Sequence, residues 1–182
     1  MNLCYNWYGL KSRAAVLTVN TVDLLGMGRG TMNRQNDEQF MQEALRLAGE
    51  AYRREEVPVG AVLVYEGQVL AGDHNRREEW QDATAHAEIL VLRRAGQLLN
   101  SWRLPGATLY VTLEPCPMCA GALIQARVSR LVFGCRDPKA GAVVSLYDLL
   151  GDRRLNHQVE FTEGILREEC AEILRSFFRQ RR

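Results

Sequence analysis

Two short strings, Ala85-His86-Ala87-Glu88 and Glu114-Pro115-Cys116-Pro117-Met118-Cys119, constrain this chain more than any other feature, because each opens a segment with helical spacing and a strand separates them. Thr84 to Ala95 has helical spacing at Ala85, Ile89, Leu92 and Arg93, with Gly96 as its predicted stop. Thr108 to Leu113 reads as a strand. Pro117 fits the first turn of a helix, Met118 to Ala126 continues in good helix formers, and Arg130 to Gly134 reads as the next strand. A strand, a helix and a strand in that order predict a parallel pair with a right-handed crossover.

The flanking segments extend this unit on both sides. Phe40, Ala44, Leu47, Ala48 and Ala51 recur at helical spacing, with Asn36 and Gln39 placed as a capping box, and this helix ends before Val57-Pro58. Val59 to Tyr65 and Gln68 to Ala71 flank Glu66-Gly67, the pattern of a hairpin. The charged stretch from Arg76 to Asp82 reads as a loop. Val159 to Thr162 supplies a fifth strand, and Leu166 to Arg182 a terminal helix packed through Cys170, Ile173, Leu174 and Phe177. The expected fold is α/β: a three-layer α/β/α sandwich around a mixed sheet of about five strands with a hairpin edge.

At 182 residues and 47% hydrophobic composition, one core can bury most of the chain's surface, so one domain is expected, over residues 37–182. Residues 1–36 lack helical or alternating periodicity. They read as an extension outside that domain, either disordered or contributed by an early start codon, since Met32 directly precedes the patterned region. Five cysteines, two of them in Cys116-x-x-Cys119, favour metal or redox chemistry in a reducing compartment over a disulfide framework. No apolar run approaches the roughly 18 residues of a membrane span. A soluble, cytoplasmic protein is expected. A net charge of +1 names no partner by itself.

Cys116 and Cys119, three apart on a helix, put both sulfurs on one face where they can share an ion, and the helix N-terminus favours their thiolate forms. His86 is the third ligand expected for Zn2+, leaving one tetrahedral position for water, the arrangement of a catalytic site. Two thiolates and a neutral imidazole cancel the charge of the ion, which therefore acidifies water less than a three-histidine site does. A nearby base gains value, and Glu88 is the carboxylate at hand. Residues two apart on an ideal helix point roughly 200° apart. His86 must therefore lie at or before the first helical turn if Glu88 is to share its site. A lone C-x-x-C would read as a structural zinc site or a redox pair. The redox reading leaves His86-x-Glu88 without a purpose, and a structural site needs a fourth ligand, for which Cys135 is the only nearby cysteine.

H-x-E paired with P-C-x-x-C resembles the signature of the zinc-dependent nucleobase deaminases. Over about Asp37 to Arg182 the chain resembles one family in particular, the bacterial tRNA-specific adenosine deaminases, which have the cytidine deaminase-like fold. The resemblance is carried by E-V-P-V-G-A-V-L-V at Glu56 to Val64, H-N-R at His74 to Arg76, D-x-T-A-H-A-E at Asp82 to Glu88 and T-L-Y-V-T-L-E-P-C-x-M-C-A-G-A at Thr108 to Ala122. F-G-x-R-D at Phe133 to Asp137, L-N-H at Leu155 to His157 and F-F-R at Phe177 to Arg179 add to it. It implies hydrolysis of adenosine to inosine at the wobble position of a tRNA anticodon by a homodimer. Glu88 would move the protons, from the attacking water to a ring nitrogen and then to departing ammonia. It also implies that Asn75 hydrogen-bonds the flipped nucleoside, that Val57 and Pro58 wall the pocket, and that Arg136 and Asp137 lie beside the RNA strand. The bland alternatives stay open. Asn75 and Asp137-Pro138 are also ordinary turn residues, and His74 and His157 read as surface or strand-end residues. Arg175, Arg179, Arg181 and Arg182 make a basic terminus that suits an anticodon stem-loop and equally suits a solvated helix end. Two rivals remain: an enzyme of the same fold acting on a free base or nucleoside, and a catalytically silent zinc module, which has no need of Glu88.

Overall fold

The computed structural model describes residues 34–181. The extension expected over residues 1–36 lies outside the described residues as far as residue 33, and Arg34 to Asn36 form the first turn of helix α1 (Arg34–Arg53). That helix therefore starts upstream of the capping box suggested by Asn36 and Gln39. There follow β1 (Gly60–Tyr65), β2 (Gln68–His74), α2 (Arg77–Trp80), α3 (Ala87–Leu98), β3 (Thr108–Leu113), α4 (Pro117–Gln125), β4 (Arg130–Cys135), β5 (Glu160–Glu163) and α5 (Arg167–Arg179).

The five strands form one mixed sheet in the order β2-β1-β3-β4-β5, the α/β/α sandwich expected from sequence. Glu66 and Gly67 both have positive φ, 51° and 77°, the backbone a two-residue hairpin needs to match strand twist. β1 is antiparallel to β2 and to β3, and β3 is parallel to β4 and β4 to β5. The C-terminal ends of β2, β3 and β4 consequently share one edge of the sheet. α3 and α4 both start from that edge.

One apolar layer, including Leu63, Val91, Leu109, Leu123 and Phe133, lies between the sheet and α3 and α4. The opposite layer, including Met41, Leu47, Val62, Tyr110 and Cys170, lies beneath α1 and α5. A polar pin crosses the second layer: Asp37, buried in the first turn of α1, accepts hydrogen bonds from Arg130 (2.9 and 2.8 Å) and from the Tyr110 hydroxyl (2.8 Å). α1 packs so closely on β1 that a methyl group at Gly60 would collide with the carbonyl oxygen of Ala44 and stand 2.5 Å from the amide nitrogen of Ala48. Both obstacles are helix backbone. Gly60→Ala should lower unfolding free energy by about 2–3 kcal/mol, the scale of overpacking a tight core; a denaturation midpoint equal to that of the parent would contradict this packing.

α1, α3 and α4 end alike, each with a left-handed residue after the cap: Glu55 (φ 62°), Asn100 (φ 48°) and Arg127 (φ 59°). The next residue's N–H turns back to the helix, from Glu56 to Ala51 O (3.0 Å), Ser101 to Gly96 O (2.9 Å) and Val128 to Leu123 O (3.2 Å). Gly96 is thus an acceptor inside α3 and not its stop. Among the described residues no helix is long and apolar enough to cross a membrane.

Candidate metal centre and active site

His86 and Cys116 occupy equivalent places, each the residue just before a helix at the shared sheet edge. His86 precedes α3 with extended backbone (φ −75°, ψ 149°), and Cys116 precedes α4 likewise (φ −73°, ψ 172°). Pro117 at the first position of α4 costs no hydrogen bond there. Neither side chain caps its own helix. The exposed N–H groups of two converging helix starts therefore act on one point, where they favour anionic sulfur.

His86 Nδ1 lies 3.7 Å from Cys116 Sγ and 3.6 Å from Cys119 Sγ. All three ligand atoms fall within 4.8 Å of one another. A tetrahedral zinc ion with bonds of about 2.3 Å to sulfur and about 2.0–2.1 Å to nitrogen separates sulfur from nitrogen by about 3.6 Å. The cluster thus fits the ion in donor type and in spacing, and the ring would bind it through Nδ1, the nitrogen that faces both sulfurs. Cys119 donates to Cys116, and with the His86 hydrogen bond this pulls the Cys116 thiol down to about 4. Cys119, as that donor and by its burial, is held well above the usual thiol range. His86 is raised, chiefly by its bond to Cys116. A dication held by these three atoms would take the place of the thiol protons.

Glu88 is only 4% exposed and stands in the first turn of α3. Burial pushes its carboxyl above the ordinary glutamate range, against a hydrogen bond from its own backbone N–H, and the His86 ring and both cysteine sulfurs are near enough to act on it. The carboxyl therefore meets the sulfur cluster. The geometric condition on the pair is met as well: His86 lies outside the regular helix, so that residues two apart can share a site.

The other sequence candidates surround this centre less directly. The Asn75 N–H donates to Val59 O (2.9 Å), and the Arg76 N–H donates to Ala85 O (3.0 Å), one residue before His86. Asn75 is buried, as is Pro58, and Val57 is half-buried in the turn that leads into β1. Arg136 makes a two-bond pair with Glu163 (2.7 and 2.6 Å). Asp137 Oδ1 accepts from the N–H groups of Lys139 (2.9 Å) and Ala140 (3.2 Å), folding its own loop. The terminal arginines are partly committed: Arg175 and Arg179 pair with Glu172, and Arg181 bonds Glu55 O while lying over the Phe177 ring. His157 bonds Val128 O (2.8 Å), and Cys135 is buried, bonding Thr112 O (3.5 Å).

Two buried carboxylates were missed from sequence. Glu114, two residues before Cys116, accepts from the backbone N–H groups of Asp137 (3.0 Å), Val143 (3.1 Å), Val144 (2.7 Å) and Ser145 (2.9 Å), and from the Ser145 hydroxyl. Those bonds hold it ionised below the ordinary glutamate range despite burial. Ala142 N–H bonds Pro115 O (2.8 Å), so the loop is folded against the approach to Cys116. Glu114→Ala leaves several buried N–H groups without an acceptor. It should cost about 3 kcal/mol or more in unfolding free energy, at about 1–3 kcal/mol per orphaned group; a loss under about 1 kcal/mol would show the loop to be held otherwise. The second carboxylate is Glu56, buried behind Asn75. A glutamate inside an apolar string was the available signal for Glu114, though it names no partner, whereas Glu56 ends the charged run Arg53-Arg54-Glu55 and carried no such signal.

The profile of the MafB19-like deaminases matches residues 35–182. The tRNA-specific adenosine deaminase of Bacillus subtilis is 53% identical over 146 residues, 80% of this chain and 91% of its own. That of Agrobacterium fabrum is 51% identical over 79% of this chain and 94% of its own. A solved structure from work on tRNA:A34 deaminases, which carry out A-to-I editing at the wobble position of transfer RNA, superposes with a TM-score of 0.73 at 50% identity, covering 75% of this chain and 99% of that one.

Proposed function

The chain belongs to the tRNA-specific adenosine deaminases, and from that membership we propose that it hydrolyses adenosine to inosine at wobble position 34 of a tRNA anticodon. The observation that carries this reading is the His86-Cys116-Cys119 cluster at tetrahedral spacing with the buried Glu88 carboxyl against it. When bound, zinc supplies the Lewis acidity that lets a water lose its proton near neutral pH. Glu88 takes that proton, passes it to a ring nitrogen of the adenine and later protonates the ammonia that leaves. Its burial suits the task, because a carboxyl pushed above the ordinary range both accepts and returns a proton more readily near neutral pH.

In the same proposal Asn75 hydrogen-bonds the flipped nucleoside, Val57 and Pro58 wall the pocket, and Arg136 and Asp137 flank the RNA. The Arg136–Glu163 pair is exposed enough to be exchanged for a phosphate at little cost. Splayed loop bases read in a pocket are the usual target of sequence-specific RNA recognition. The deaminase domain spans residues 37–182, within the match of the family profile at 35–182. We also propose a homodimer in the cytoplasm. The outer side of α3 leaves Leu98 and the following Trp102 57% and 62% exposed beside a groove against α4, a surface that suits a second copy. Free thiolate ligands suit a reducing compartment.

The test is to incubate zinc-loaded enzyme with an anticodon stem-loop bearing adenosine at position 34. Inosine at that position alone is the expected product, and an unchanged adenosine would refute the reading.

A further inference from the structure

Glu56 lies between α1 and β1, wholly buried, and no ion pair neutralises it among the described residues. Burying an unpaired carboxylate is expensive unless hydrogen bonds replace its water. Two do so: the Glu79 N–H donates to Oε1 (2.7 Å) and the Asn75 side-chain amide to Oε2 (2.9 Å). A carboxylate has no hydrogen to give, so the Asn75 group facing it must be the NH2. The orientation of the amide is thereby fixed. Its Oδ1 is left as an acceptor without a hydrogen-bond partner among the described residues, on a side chain only 5% exposed. The chain next to this residue is tied to the metal centre, since the Arg76 N–H donates to Ala85 O, one residue before His86.

We propose that Glu56 is a positioning residue for the substrate: it locks the Asn75 amide with Oδ1 presented as an acceptor, so the site takes a nucleotide that offers a hydrogen-bond donor there. The inference rests on the deaminase reading of the site. Adenosine within RNA has two donors to offer, its exocyclic amine and the ribose 2′-hydroxyl. Guanosine carries an acceptor oxygen in place of the amine. Glu56→Gln tests the lock with little change of shape. The Glu79 N–H still needs an oxygen, so the new side chain keeps its oxygen there and turns NH2 toward Asn75. Asn75 must then accept with Oδ1 and present NH2 to the substrate.

With the zinc-loaded full chain and an adenosine-34 stem-loop, Glu56→Gln should raise KM about tenfold, the worth of one such hydrogen bond, and change kcat by less than about threefold. In an Asn75→Ala background the same substitution should change KM by less than about twofold, because its route of action is gone. An equal rise in KM in both backgrounds would mark Glu56 as merely structural and overturn the proposal, as would an unchanged KM in the single variant. A stem-loop with 2′-deoxyadenosine at position 34 tells the donors apart. If the 2′-hydroxyl is the donor, Glu56→Gln has no further effect on that substrate; if the amine is, the full rise in KM persists. The side-chain amide resonances of Asn75 in the free enzyme give a reading that needs no turnover. They should shift in Glu56→Gln, and unmoved resonances would refute the lock. Parent enzyme inactive on the stem-loop would instead refute the functional reading, leaving the resonances to judge the lock.

Discussion

Glu88→Ala should keep its zinc and lose at least about 100-fold in kcat, the usual scale for removing a general acid-base group. The two halves of that expectation come from different parts of the site. Zinc is retained because its ligand atoms are His86 Nδ1 and the two sulfurs, and Glu88 is not among them. Turnover is lost because Glu88 is the buried carboxyl beside the cluster. The formal charges of the site sharpen the demand. Two thiolates and a neutral imidazole cancel the 2+ ion, so the metal alone acidifies water weakly and the base has more to do. Near-normal kcat in a zinc-loaded Glu88→Ala would remove the residue from the mechanism and favour a silent zinc module.

Cys119→Ala should empty the site, from about one zinc per chain to almost none, and abolish turnover with it. Cys119 is fully buried, and its sulfur is one of three protein donors brought together among the described residues. With two left, the ion keeps neither its geometry nor its charge balance. The thermal midpoint should fall with the metal, since binding that depends on the folded site is folding free energy. Removing zinc from the parent with a chelator should lower the midpoint similarly. Full zinc occupancy in Cys119→Ala, measured by atomic absorption, would refute the ligand set.

What the sequence disclosed, and what it hid, follows from how local each signal is. His86 and Cys116 were readable because His86 and Glu88, two apart, can share a site only from a helix start, while Cys116 and Cys119, three apart, put both sulfurs on one helix face. Both His86 and Cys116 precede their helices with extended backbone. The parallel β3–β4 pair was likewise implied by order along the chain. Helix α2 was not. Arg77-Glu78-Glu79-Trp80 has no apolar periodicity, and the turn is fixed by a distant carboxylate, Glu56 on the Glu79 N–H, and by Gln81 in the left-handed region (φ 49°). Gly96 misled because a glycine near a helix end reads as its stop, whereas Asn100 takes the left-handed position here. The terminal arginines have no acid among them in the last eight residues, yet Glu172 and Glu55, nearby only in space or across helix turns, bond several of them. Glu114 and Glu56 were hidden for the same reason, since their partners lie on other loops.

The central claim, that this zinc site is built for adenosine in an anticodon loop, is tested most directly by rates measured side by side. The zinc-loaded enzyme would be given an adenosine-34 stem-loop, free adenosine, free cytidine and free guanine in turn. The account predicts inosine in the stem-loop and no comparable turnover of the free compounds. Deamination of free cytidine or guanine without action on the RNA would contradict it.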